Sequence, residues 1–200
     1  MKEFANLVKD KNVLLVGNGS SVKNKDYSEL IDSYEFVIRF NYAIRKFYQF
    51  KSAGQKIDGW FYSIKCQNTC NTVYNDAKIK AKHCIRHDYE PLDIGENQYH
   101  IPSEPYRKKF NESLNIKGKN KKASTGLCAI HYLVEYCEPE SISIIGFDSF
   151  NTSNFWCDPN YNIAHRWHFG DIEKQYLNKL LKENKISILD NYEDNYNQST

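Results

Sequence analysis

The sequence predicts an α/β protein in which one mostly parallel sheet carries helices on both faces. Three observations predict it. Short apolar runs such as Asn12-Val-Leu-Leu-Val-Gly17 and Ser141-Ile-Ser-Ile-Ile-Gly146 end in glycine, as buried parallel strands feeding loops do. Stretches of helical apolar spacing alternate with those runs. The chain of 200 residues, with 15 Tyr, 11 Phe and 3 Trp, can bury a full core and is too aromatic for a disordered segment.

Each element follows from its residues. Asn12 to Gly17 is the first strand, Asp26 to Tyr34 holds a short helix, and Glu35 to Asn41 is the second strand. Asp58 to Ile64 reads as a third strand, Thr69 to Lys82 as a surface helix, and His83 to Arg86 as a short strand. From 88 to 122 the prolines Pro91, Pro102 and Pro105 and many polar residues predict an irregular lid or acceptor loop. Ser124 caps a helix whose Leu127, Ile130, Leu133, Val134 and Cys137 keep helical spacing until Pro139. Ser141 to Phe147 is a central strand. Ile172, Tyr176, Leu177, Leu180 and Leu181 mark the last helix, and Ile186 to Leu189 the last strand. The expected architecture is a single Rossmann-like domain over residues 1–190 with a frayed polar tail at 191–200. Ligands are then expected at the carboxyl ends of the strands.

Composition removes several function classes. Lys plus Arg is 27 and Asp plus Glu is 25, so the chain lacks the basic face that neutralises nucleic-acid phosphates. The cationic run from Lys117 to Lys122 reads as a solvated loop. No apolar run approaches the ~18 residues that span a bilayer, and the first residues lack a signal-peptide core. The expected location is cytoplasmic, with at most peripheral contact at the inner face of a membrane. The six cysteines then read as reduced thiols. Cys66, Cys70, His83 and Cys84 lack the tight paired spacing of structural zinc, and no metal site is expected.

Four places could carry chemistry. Gly17-Asn18-Gly19-Ser20 follows the first strand but fails the dinucleotide pattern, because Val22 stands at the third glycine. It reads either as a loop that lets a ligand close to the backbone or as a plain strand-to-helix turn. Asn41 closes the second strand, where its amide either faces the same ligand or simply makes a turn. Ser124-Thr125-Gly126 opens a helix and so offers either an anion site or a cap without ligand. Finally Phe155, Trp156, Cys157, Asp158, Tyr161, His165, Arg166 and His168 crowd one loop, which either is solvated or supplies acid–base groups.

These segments, in order, resemble a known family. Val13 to Ser20 is followed by Ile31-Asp32, Val37, Arg39 and Asn41. Then come Ala123-Ser124-Thr125-Gly126 with Cys137 and Ile145-Gly146-Phe147, a weaker aromatic segment Asn154-Phe155-Trp156 with Asp158, and the H-x4-E pair His168 and Glu173. The series resembles the sialyltransferases of glycosyltransferase family 29. Gly17-Asn18-Gly19 and Gly146-Phe147-Asp148 are also similar to the bacterial family 42 sialyltransferases.

The resemblance implies a glycosyltransferase A-variant domain that moves sialic acid from CMP-sialic acid to an oligosaccharide or glycolipid hydroxyl with inversion. It implies His168 as the base. It implies donor contacts from Gly17, Asn18, Gly19, Ser20, Asn41, Ser124, Thr125, Gly126, Tyr161 and His165, with structural support from Asp32, Arg39 and Glu173. No cofactor and no metal are expected, and the sequence has no D-x-D carboxylate pair. Val13 stands where the animal enzymes carry a cysteine, so Cys137 lacks its disulfide partner. The rivals are a transferase using another nucleotide sugar and a non-catalytic nucleotide- or sugar-binding relative.

Overall fold

The structure is a computed structural model, and it describes residues 2–41, 50–63, 81–88, 98–116, 123–149, 151 and 168–189. The expected surface helix from Thr69 falls almost wholly outside these residues, as does the polar tail. The strands are β1 (Asn12–Val16), β2 (Phe36–Phe40), β3 (Gly59–Tyr62), β4 (His83–Asp88), β5 (Gln98–Pro102), β6 (Ser141–Ile145) and β7 (Ser187–Ile188). They form one seven-stranded sheet in the order β5-β4-β3-β2-β1-β6-β7. Every pairing is parallel, with Leu15 of β1 opposite Ile38 of β2 and Ile144 of β6. The helices are α1 (Lys2–Val8), α2 (Ser28–Ser33), α3 (Ser103–Ser113), α4 (Thr125–Tyr136) and α5 (Gly170–Lys182).

The alternation of strand side chains explains why the runs are apolar throughout. Val13 and Leu15 face one buried layer, which α1, α3, α4 and α5 cover through Phe4, Phe110, Leu127 and Leu177. Leu14 and Val16 face the other, which α2 and two short helical turns cover through Val22, Ile31 and Ala53. This is the doubly covered parallel sheet that the sequence predicts. Among the described residues no helix is long and apolar enough to cross a membrane. Cys84, Cys128 and Cys137 form no disulfide among the described residues, and burial pushes the Cys137 thiol up to about 12.

The expectation of an irregular stretch from 88 to 122 needs correction. It contains β5 and α3. Pro102 ends an edge strand and Pro105 lies in the first turn of α3, two places where a missing backbone N–H breaks no ladder. The helix is held by tertiary contact, because Phe110 is only 1% exposed and its ring stacks on His131 of α4 at 3.9 Å. The N-terminal helix α1, not anticipated from sequence, is held likewise by Phe4 and Val8, one turn apart.

Two histidines of this frame set an acid limb on stability. Burial lowers the pKa of His131, with Glu135 opposing. Burial also lowers that of His83, with Asp58 opposing and Lys11 and Lys82 reinforcing. The unfolded chain therefore binds protons more readily than the folded one, and stability rises with pH wherever that holds. Stability should be complete above the ordinary imidazole pKa of ~6.5 and decline as pH falls below it. Urea midpoints between pH 7.5 and 5 measure this, and a midpoint that rises on acidification would contradict it.

Candidate active site

The sheet order places a topological switch at β1, whose neighbours β2 and β6 lead away in opposite directions. In open α/β sheets the crevice beyond the carboxyl ends of such strands is where ligands bind. Three chain segments meet there.

The loops after β1 and β6 are joined backbone to backbone. The Gly17 N–H donates to the Ile145 carbonyl at 2.7 Å and the Gly19 N–H to the Gly146 carbonyl at 2.8 Å. A Cβ on Gly17 would stand 2.7 Å from the carbonyl carbon of Gly146, and one on Gly19 would run into the Asp148 carboxylate. Gly146 itself has φ +74°, a left-handed conformation that glycine adopts at no steric cost. Asp148 then accepts from the Ser21 N–H at 3.0 Å and, through a short bond, from the Ser21 hydroxyl. Ser20 opens the helical turn 20–23 and is half-buried. Both glycines of the first loop thus have a packing reason. Asn18 lies between them, and its buried Oδ1 accepts no hydrogen bond among the described residues. A buried acceptor in that condition is costly unless a donor arrives.

At the end of β2, Asn41 has φ +46°, which asparagine tolerates better than most residues. Its Oδ1 accepts from the Ser63 N–H at 3.2 Å, and its carbonyl accepts from the Trp60 indole at 3.0 Å. The first bond orients the amide toward the end of β3, and the second fixes the backbone at the end of β2. Asp32 and Arg39 do different work on the α2 face. The Asp32 carboxylate accepts from the N–H groups of Gln55 and Lys56 at 2.8 Å. Arg39, 1% exposed, donates to the carbonyls of Lys56 at 3.0 Å and Ala53 at 2.7 Å. Burial depresses the guanidinium to about 9, and Asp32 opposes the shift. Both side chains pin the turn between β2 and β3.

The third segment is the start of α4. Ser124 is its N-cap, with the hydroxyl accepting from the Leu127 N–H at 3.1 Å. The same hydroxyl donates to Glu173 Oε2 at 2.7 Å, and the Ser124 N–H donates to Oε1 at 2.8 Å. Glu173, in the first turn of α5, is 5% exposed. Thr125 is buried, and a Cβ on Gly126 would meet the Phe147 ring edge at 2.7 Å. The helix start therefore sits against the loop after β6. His168 is half-buried two residues ahead of α5 and precedes Phe169, whose carbonyl accepts from the Glu173 N–H at 3.0 Å.

So the structure brings the β1 loop, the β6 loop and the α4 start together, and Glu173 ties the His168 end of α5 to the last of these. Tyr161 and His165 lie outside the described residues, as do Phe155 to Asp158, Cys66 and Cys70. Among the described residues no group of three or more His, Cys, Asp or Glu could hold a metal ion. Phe147 and Asp148 are the residues that motif reading undervalued. The apolar run ending Gly146-Phe147-Asp148 marked a strand end, but nothing in it announced that Asp148 would clamp Ser21.

No family model matches the chain, and no curated protein matches it. Solved structures do. A mammalian sialyltransferase superposes with a TM-score of 0.60 at 19% identity, covering 92% of this chain and 70% of that one. The sialyltransferase CstII of Campylobacter jejuni, in complex with cytidine-5'-monophosphate, gives 0.59 at 18%, covering 90% and 80%. The alpha-2,3-sialyltransferase Cst-I of the same organism gives 0.57 at 18%, covering 90% and 74%. This is a sialyltransferase-like fold. At such identities the likeness establishes the Rossmann-like architecture and leaves the chemistry to be argued from the residues.

Proposed function

We propose that the chain is an inverting sialyltransferase that moves sialic acid from CMP-sialic acid to a hydroxyl of a glycan acceptor without a metal. The observation that carries this reading is the buried Oδ1 of Asn18, unpartnered among the described residues, in the loop that follows β1 at the switch point. An acceptor waiting for a donor suits a nucleotide's ribose hydroxyls or cytosine amine. A helix start suits its phosphate. The solved structures sharing this fold include complexes with CMP and with a trisaccharide acceptor and CMP.

In this reading Asn18 and Asn41 hold ribose, base or phosphate, and the Gly17–Ser20 loop shapes the floor. The acceptor oxygen attacks the anomeric carbon of sialic acid from the face opposite CMP. The acceptor's proton passes to neutral His168 as the new carbon–oxygen bond forms. The bond from the anomeric carbon to the phosphate oxygen breaks, and CMP leaves with the electron pair. Negative charge grows on that phosphate, and Thr125 and Gly126 at the helix start stabilise it with fixed dipoles, while Ser124, whose N–H and hydroxyl both donate to Glu173, holds that start in place. Tyr161 and His165 are assigned as further donors to it. Glu173 keeps the helix start in place, and Asp32 and Arg39 keep the wall beside β2.

The test is CMP release from CMP-sialic acid with galactose-ended and sialic-acid-ended acceptors, run with and without EDTA, beside calorimetry with CMP, UMP, GDP and NAD. CMP should bind most tightly and turnover should survive chelation. Tighter binding of NAD, or turnover that EDTA abolishes and magnesium restores, would overturn the reading.

A further inference from the structure

A second contact joins α4 and α5 beyond the site, and it rests on groups that the transfer chemistry leaves unused. His131 Nδ1 lies 2.8 Å from the Tyr176 hydroxyl. Phe110 of α3 stacks on the His131 ring, centroids 3.9 Å apart at 7°, and meets the Tyr176 ring edge-on at 5.4 Å. The neighbouring residue on α3 reaches the helix start itself, because Asn111 Oδ1 accepts from the Ala123 N–H at 3.1 Å. Ser124 and His131 are two turns apart on α4, about 10 Å along the axis, whereas Glu173 and Tyr176 are one turn apart on α5.

Leu177 and Leu180 seat α5 on the apolar core, a contact without direction, and the Ser124–Glu173 pair aims only its first turn. A second directional bond, set one turn further along α5, aims the next. The stacked Phe110 ring closes the remaining side. We propose that Tyr176 and His131 are positioning residues: their hydrogen bond, wedged by Phe110, fixes the start of α5, and so His168, against the anion-binding start of α4. The proposal rests on the transfer function argued above, and it assigns to α3 the role of a fixed wedge in a region where the sequence suggested a lid.

Burial agrees with a built contact. It pushes the Tyr176 phenol above its ordinary value and lowers the pKa of His131, a shift toward the neutral imidazole whose unprotonated nitrogen can accept from the phenol. Each ring also has an aromatic neighbour in its own right, so loss of the hydroxyl leaves the apolar packing in place.

The experiment uses Tyr176→Phe, which removes the hydroxyl and keeps the ring. The control is Ser143→Ala, which removes a side-chain bond of 2.9 Å to Ser187 between β6 and β7, away from the α4–α5 seam. Near-atomic misplacement of reacting groups lowers rates steeply, so Tyr176→Phe should reduce kcat for CMP release ~10- to 100-fold, with a smaller loss of CMP affinity. Amide hydrogen exchange over residues 123–128 of the substrate-free protein should accelerate in Tyr176→Phe and stay at the wild-type rate in Ser143→Ala. The double variant Tyr176→Phe with His131→Phe removes both partners of that bond, so it should regain thermal stability without regaining kcat. Lowered thermal stability with wild-type kcat and unchanged exchange at 123–128 would overturn the proposal, as would recovery of kcat in the double variant. If the unaltered protein releases no CMP with any acceptor, the transfer reading fails and the catalytic role falls with it; the exchange result still decides whether the seam holds the helix start.

Discussion

His168→Ala lowers kcat by ~10²–10⁴-fold, the usual worth of a general base, while CMP affinity stays at its wild-type value. The expectation follows from position. His168 stands where α5 begins, and the first turn of that helix is anchored through Glu173 to the cap of α4. A residue so placed is next to an anchored element, and a base must be held in place if the acceptor oxygen is to find it. His165→Ala should act more weakly, or through donor binding, because it lacks the spacing to Glu173. The competing possibility is that His168 only packs the entrance of α5. In that case the alanine variant would melt earlier and turn over normally, and that pair of results would remove His168 from the reaction. Steady-state kinetics below the melting range, calorimetry with CMP and a thermal scan on one preparation separate the two.

How much of this was legible depends on whether the information is local. β1 and β6 could be read because a strand buried on both faces must be apolar at every position, and the glycine that follows marks its end. α4 could be read because Ser124, the apolar spacing and Pro139 agree with one another. α1, β5 and α3 could not, since their order comes from elsewhere. α3 reads Ser-Glu-Pro-Tyr-Arg-Lys-Lys-Phe-Asn-Glu-Ser, a mostly polar string. It is a helix here because Phe110 finds His131 and Tyr176, and Asn111 finds Ala123. The site divides the same way. Asn18, Asn41 and the helix start are visible as residue types at strand and helix ends. The Ser124–Glu173 pair spans 49 positions and Ser21–Asp148 spans 127, and no spacing rule joins residues so far apart.

Gly17 shows a residue whose importance was legible while its physical reason was not, and the reason can be measured. Gly17→Ala should destabilise the fold by about 3 kcal/mol, the upper part of the range for overpacking a filled site. In a protein of this size that lowers the melting temperature by roughly 6–12 °C. The added methyl would point at the Gly146 carbonyl group, 2.7 Å from its carbon, and Gly146 is held by its own hydrogen bond to the Gly19 N–H. Backbone on both sides leaves nothing to rotate away. Gly126→Ala provides the contrast. Its methyl meets the Phe147 ring edge, a side chain able to shift, and alanine in a helix gains up to about 1 kcal/mol over glycine. Gly126→Ala should therefore stay near wild-type stability, and any loss should show in CMP affinity through the displaced ring. Urea midpoints with unchanged slopes, paired with CMP calorimetry, read both effects. If Gly17→Ala kept its midpoint and lost only CMP affinity, the glycine would be there for the ligand's approach, and the seam between the two loops would not be what requires it.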